Sequence, residues 1–141
     1  MLTEWKPELR DVERTTSVRK HLLEVLQSDA FKGGKRAQDF LQLVVEHALA
    51  GRTDNLRERM LGAEMFGRPV DYDTANDAVV RVKASEVRKR LTQYYQNLTN
   101  SPTIRIDLQA GSYMPQFYIE LPETSEPPPA PASEVPPEIA P

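Results

Sequence analysis

Cysteine is absent from the chain, which removes disulfides and thiolate zinc sites and makes a reducing cytoplasm the expected setting. Histidine occurs only at positions 21 and 47, each inside an apolar-periodic stretch. No second histidine, thiol or nucleophile–base pair accompanies either one, so catalysis is not expected, nor a small-molecule substrate or cofactor. No apolar run approaches the roughly 18 residues that a membrane span needs. The opening MLTEWKPELRDVERTT is too charged to read as a secretory signal. With 141 residues, 39% of them hydrophobic and 28% charged, the chain is expected to form one soluble domain with a core of its own.

Acidic charge is concentrated at one end. The net charge is −3, and Glu120, Glu123, Glu126, Glu134 and Glu138 are unaccompanied by any base. Without those five acids, residues 1–119 carry 18 bases against 16 acids, a net +2. That balance permits nucleic-acid binding without demanding it. The same end, LPETSEPPPAPASEVPPEIAP, holds eight of the twelve prolines. It is too poor in apolar residues to offset the entropy of ordering, and is expected to be a disordered or polyproline-like spacer. A ligand for a proline-recognising protein partner is the other reading of it. The expected organisation is a flexible start over 1–14, a folded domain over 15–120 and a proline-rich tail over 121–141.

Within the folded part, four helical stretches precede two strands. SVRKHLLEVLQS, at 17–28, aligns Val18, Leu22, Val25 and Leu26 on one stripe. KRAQDFLQLVVEHALAG repeats Ala37, Phe40, Leu41, Val44, Ala48 and Leu49 with helical period, and Gly51 is a suitable stop. NLRERMLGAEMFG groups Leu56, Met60, Leu61 and Ala63. A longer helix is expected from about Asn76 to Leu98, opened by a capping-box spacing over Thr74-Ala75-Asn76-Asp77. TIRIDLQ then alternates Ile104, Ile106 and Leu108 with polar residues, Gly111 supports a turn, and YMPQFYIEL is the return strand. Pro115 lacks an N–H, which predicts an edge position or a bulge there. The expected fold is mainly α with a C-terminal β-hairpin.

The long helix and hairpin together resemble the winged helix-turn-helix DNA-binding domain of OmpR/PhoB-type response regulators. Val80, Val82, Ala84, Val87, Arg88, Arg90 and Leu91 match the spacing of that recognition helix. IRIDLQAGSYMPQF is similar to the wing, with Tyr113 and Phe117 in the corresponding places. The resemblance covers about residues 35–119 and implies a winged helix whose partner is double-stranded DNA. It has no counterpart for the N-terminal sheet of those domains, where the helix at 17–28 stands instead. FLQLVVEHALAGR, FGRPVDYDT and AGSYMPQF also resemble an N-terminal module of bacterial multidomain proteins. In those, a proline-rich linker and often a membrane span lead to tetratricopeptide or propeller repeats, which implies tethering at the inner membrane if the natural protein continues.

At about 100° per residue, Val80, Ala84, Val87, Leu91, Tyr94, Tyr95 and Leu98 share the expected core face of the long helix. Arg81, Val82, Ser85, Glu86 and Lys89 oppose them, with Arg88 and Arg90 on the flanks. In a major groove, Arg81 or Lys83 would bond guanine, Lys89 a phosphate, Ser85 either, and Val82 a thymine methyl. Arg88 would help to position the helix. Glu86 would repel phosphate unless it accepts from a cytosine amino group. In the wing, Arg105 is the one base, and Gln109 stands where response regulators commonly place an arginine. Two functions follow: a DNA-binding transcription or signalling module, with a homodimer a further option, or a protein-interaction domain that kept the fold without the DNA contacts.

Two other motifs carry less. DYDTAND spaces Asp71, Asp73 and Asp77 like a calcium loop, but Asn76 and Val82 occupy its required glycine and glutamate positions, so no metal is expected. KGGKR lacks the spacing of a phosphate-cradling loop and reads as a turn, with Lys32, Lys35 and Arg36 near enough to a helix start to touch phosphate.

Overall fold

The apolar stripes of the four helical stretches close on one another, and a small sheet caps one side of the core they form. The computed structural model describes residues 2–7 and 11–120. The expected proline-rich tail lies outside the described residues. In chain order the elements are β1 (Leu2–Trp5), α1 (Val12–Leu26), α2 (Lys35–Leu49), α3 (Glu58–Phe66), α4 (Val79–Gln96), β2 (Ile104–Asp107) and β3 (Gln116–Glu120). Short 3-10 turns at Asp29–Phe31 and Thr53–Leu56 precede α2 and α3. The architecture is therefore mostly helical with a three-stranded antiparallel sheet, in the order β1-β3-β2.

α2 lies at the centre. Its Ala37, Phe40, Leu41, Val44 and Val45 are wholly buried, against Val18, Leu22 and Val25 of α1, Leu61 of α3 and Val80, Ala84 and Val87 of α4. Burying a side chain of this size stabilises by about 1.5–3 kcal/mol. Gly51 ends α2 as expected, at φ 78°, and the Arg52 N–H returns to the His47 carbonyl at 2.8 Å. Gly67 does the same for α3 at φ 68°, with the Arg68 N–H on the Gly62 carbonyl at 3.0 Å.

Within the expected flexible start over 1–14, the described residues include a strand at Leu2–Trp5 and the first turn of α1 from Val12. Leu2–Trp5 pairs with β3, with Trp5 opposite Phe117, and the Trp5 ring is buried 6.1 Å from that of Phe117. A four-residue strand with one inward aromatic offers no alternation to read, and its partner is more than a hundred residues away. α1 also begins earlier than its apolar stripe. Asp11 caps it, accepting from the Arg14 N–H at 3.1 Å, while Val12 remains 79% exposed, so the cap rather than burial sets this boundary.

Two further expectations change. The return strand is central, not an edge, and Pro115 stands just before it, so no ladder N–H is lost. The Thr74–Asp77 capping box does not form. Asp73 accepts instead from the Ala75 N–H at 3.1 Å, Asp77 from the Val79 N–H at 3.3 Å, and α4 starts at Val79. Asp77 is shared with Arg68, whose Nε donates to it at 2.6 Å, and this pulls the carboxylate away from box geometry.

Candidate functional site

α4 packs along its length through the residues that the helical projection assigns to the core. Val80, Ala84 and Val87 are 0% exposed, and Leu91 is 3% exposed. The opposite side is open: Arg81, Val82, Ser85, Lys89, Gln93 and Gln96 are all exposed, Val82 to 64%. Val82, Ser85, Glu86, Lys89, Arg90 and Gln93 line a shallow groove of about 540 Å³ on this outer side. Between the buried and outer sides run two flanks, and the cations on them have different company.

One flank faces α3 and the hairpin. The Arg81 guanidinium donates to Glu58 Oε2 at 2.6 Å and to the Thr74 carbonyl at 2.8 Å. Arg88 donates through Nε to the Leu108 carbonyl at 2.9 Å and through Nη2 to the Ser112 carbonyl at 3.0 Å. It thus grips both sides of the turn Gln109-Ala110-Gly111-Ser112, in which Gly111 has φ 84° and the Ser112 N–H meets the Gln109 carbonyl at 3.3 Å. Gly111 supplies the positive φ that this turn requires. The hairpin is therefore fastened to α4 through main-chain carbonyls, a fixed geometry that suits a planar guanidinium.

The other flank faces the start of α2. Lys83 Nζ donates to Glu86 Oε1 at 2.8 Å, and Arg90 Nε to Glu86 Oε2 at 2.9 Å. The hydrogen bond from Lys83 and then that from Arg90 hold the Glu86 carboxyl below its ordinary range, against the opposing effect of its partial burial. Arg90 also donates to the Ala30 carbonyl at 2.9 Å. Gly34 leaves the room for it: a Cβ there would lie 2.6 Å from the Arg90 Cζ. The KGGKR turn thus receives a side chain of α4. Of its own bases, Lys35 pairs with Asp39 at 3.0 Å, while Arg36 bonds the Met65 carbonyl and lies over the Phe66 ring at 5.3 Å.

The nine residues singled out from the sequence consequently divide. Val82, Ser85, Glu86 and Lys89 come together in the groove, and Lys83 joins them through Glu86. Arg81 and Arg88 turn to the opposite flank. Arg105 is not among the groove residues, its Cζ lying 4.4 Å from the Tyr95 ring centre, and Gln109 is exposed at the turn. Among the described residues Lys89 has neither an ion-pair nor a hydrogen-bond partner. Sequence reasoning missed Arg90 as the second holder of Glu86, although the i,i+3 and i,i+4 spacing of Lys83, Glu86 and Arg90 carries that signal. It had no signal for Glu58, which is 23 residues from Arg81 and on another helix.

Both histidines are built into polar networks. His47 Nδ1 accepts from Arg52 Nε at 2.9 Å, which leaves Nε2 to donate to Glu64 Oε1 at 2.8 Å. Burial lowers the pKa of His21, with Glu24 opposing, and the ring Nε2 is hydrogen-bonded with the Tyr95 hydroxyl at 2.9 Å. The Tyr95 oxygen in turn accepts the Ile106 N–H at 2.7 Å, and burial pushes the pKa of this hydroxyl far above its ordinary value. Among the described residues no three His, Asp or Glu side chains gather as metal ligands, and no helix is long and apolar enough to cross a membrane. Comparisons with protein-family models, curated proteins and solved structures returned no match to this chain.

Proposed function

We propose that the chain is a DNA-binding module of winged-helix type, with α4 as the helix that enters the major groove of duplex DNA and the β2–β3 hairpin as its wing. The observation that carries this reading is the outer side of α4: an 18-residue helix, about 27 Å long, open from Val82 to Gln96 and braced by the hairpin beside it. A helix standing proud in this way fits a groove about 12 Å wide. Lys89, at the middle of the open side, is the phosphate contact. Ser85 and Gln93 present hydrogen-bonding groups to base edges, and Val82 offers an apolar surface to a thymine methyl. Arg88 acts by positioning the wing rather than by touching DNA, because its Nε and Nη2 are engaged on hairpin carbonyls. Transcriptional regulation or DNA targeting within a larger signalling protein are the corresponding roles, in the cytoplasm or at the cytoplasmic side of a membrane.

A second reading, a protein-interaction face on the same helix, is favoured by one observation. Arg81, Lys83, Arg88 and Arg90 are all engaged within the chain, which leaves the groove less positive than its sequence.

Fluorescence anisotropy of the full chain with a labelled duplex of about 20 base pairs separates the two. A DNA-binding module loses affinity steeply between 25 and 150 mM salt, the logarithm of the affinity falling by about 0.9 per phosphate neutralised for each tenfold rise in salt. Lys89→Glu abolishes that binding without unfolding the chain. Absence of binding at the lowest salt overturns the DNA reading.

A further inference from the structure

The Lys83–Glu86–Arg90 cluster has a property that the DNA reading does not use. Glu86 is held from both sides along its own helix, by a lysine three residues before it and an arginine four residues after it. The two holders differ. Arg90 has a second tie to the Ala30 carbonyl and lies close against Gly34, so a contact independent of Glu86 also holds its guanidinium. Lys83 has Glu86 as its only hydrogen-bond or ion-pair partner among the described residues. Its flexible four-carbon stem lets the ammonium leave that partner and reach outward.

We infer that Glu86 is a restraint on Lys83: it holds the lysine along the helix in the unbound protein, and a DNA phosphate must take the lysine from it. The inference rests on the proposed DNA reading and deepens it by naming what sets the affinity. Exchange of this kind is feasible because the pair still reaches the surface, with side-chain exposures of 21% for Lys83 and 34% for Glu86, so an incoming phosphate meets the ammonium there. Arg90 remains on Glu86 after the exchange, so the carboxylate is not abandoned. Because the same contacts hold the Glu86 carboxyl below its ordinary range, the restraint stays charged throughout the neutral range. On this account Glu86 reads no base. It keeps binding to arbitrary DNA weak, so that a site offering good contacts along Val82, Ser85 and Gln93 is distinguished from one offering phosphates alone.

A double-mutant cycle tests this, with the full chain titrated onto one duplex in a salt series as wild type, Lys83→Gln, Glu86→Gln and the double variant. The restraint predicts that Lys83→Gln alone weakens binding less than about twofold, since the lysine is largely occupied. Glu86→Gln tightens binding about tenfold and steepens the salt dependence by about one phosphate. Lys83→Gln in the Glu86→Gln background then removes most of that gain. If Glu86→Gln tightens binding equally with and without Lys83, the carboxylate acts by plain repulsion and the inference falls while the DNA reading stands. An unchanged affinity in Glu86→Gln has the same consequence. If neither wild type nor Glu86→Gln binds at the lowest salt, the DNA reading itself fails and the inference with it. Circular dichroism melting of each variant confirms that all four are folded.

Discussion

Near its start, α4 is flanked by side-chain ion pairs at the surface: Arg81 with Glu58, and Lys83 with Glu86. Near its end, the Tyr95 hydroxyl stands between the His21 ring and the Ile106 N–H, joining α1, α4 and β2, while the Arg105 guanidinium covers the Tyr95 ring. Both ends are polar, but their partners are of different kinds. At the first, charged side chains pair with one another while each pair keeps some contact with water. At the second, a largely buried hydroxyl meets a buried backbone donor and a buried ring at once. One helix therefore combines paired charges near its start with a buried polar anchorage near its end.

Three measurements test that contrast. The largest effect is expected from Tyr95→Phe, which keeps the ring and removes the oxygen. It leaves the Ile106 N–H and the His21 Nε2 without a partner, and the loss is about 1–3 kcal/mol. Urea unfolding followed by Trp5, the single tryptophan, buried against Phe117, reads this directly. A loss under about 0.5 kcal/mol would remove the distinction between the two ends.

A smaller effect concerns pH. The pKa of His21 is lower in the folded chain than the ordinary 6.5, burial being the main cause, so protonation favours the unfolded state. The stability that the neutral ring provides is complete above about pH 6.5 and declines as the pH falls below it. Glu24 on α1, Tyr94 and Tyr95 on α4, and Arg105 and Asp107 on β2 are the titratable or charged groups around this network. The carboxyls held low by their partners, Glu86 among them, lose their contribution only in the acid range below about 4.5. His21→Gln should therefore flatten the stability profile between the two ranges and leave the acid limb in place.

The smallest change is expected from Glu86→Gln in the absence of DNA, about 0.5 kcal/mol or less in the same urea titration, as for other partly exposed ion pairs. A loss approaching that of Tyr95→Phe would show that the cluster around Glu86 supports the fold, and would make Lys83 unavailable to a ligand.

The burial of α4 was readable from its sequence because Val80, Ala84, Val87 and Leu91 recur at helical spacing and packing obeys that spacing. The open side, with Val82 and Lys89, was readable for the same reason. The destinations of the arginines were not. Arg81, Arg88 and Arg90 look alike within VRVKASEVRKR, yet one reaches Glu58, one two carbonyls of the hairpin, and one the carbonyl of Ala30 sixty residues away. β1 was unreadable for a related reason: its four residues take their meaning from β3, at the far end of the described chain.

By itself, then, the amino-acid sequence determined where the four helical stretches lie, though not their first residues, which face of each is apolar and where Gly51, Gly67 and Gly111 interrupt the chain, since these depend on local backbone sterics and a period of 3.6. Only the tertiary structure decided which charges stay available. A guanidinium on a long side chain bonds whatever acceptor folding brings near it, and that acceptor is set by contacts across the whole chain. The groove on α4 is consequently less basic than the run that forms it, with Lys89 at its middle and Lys83 paired with Glu86.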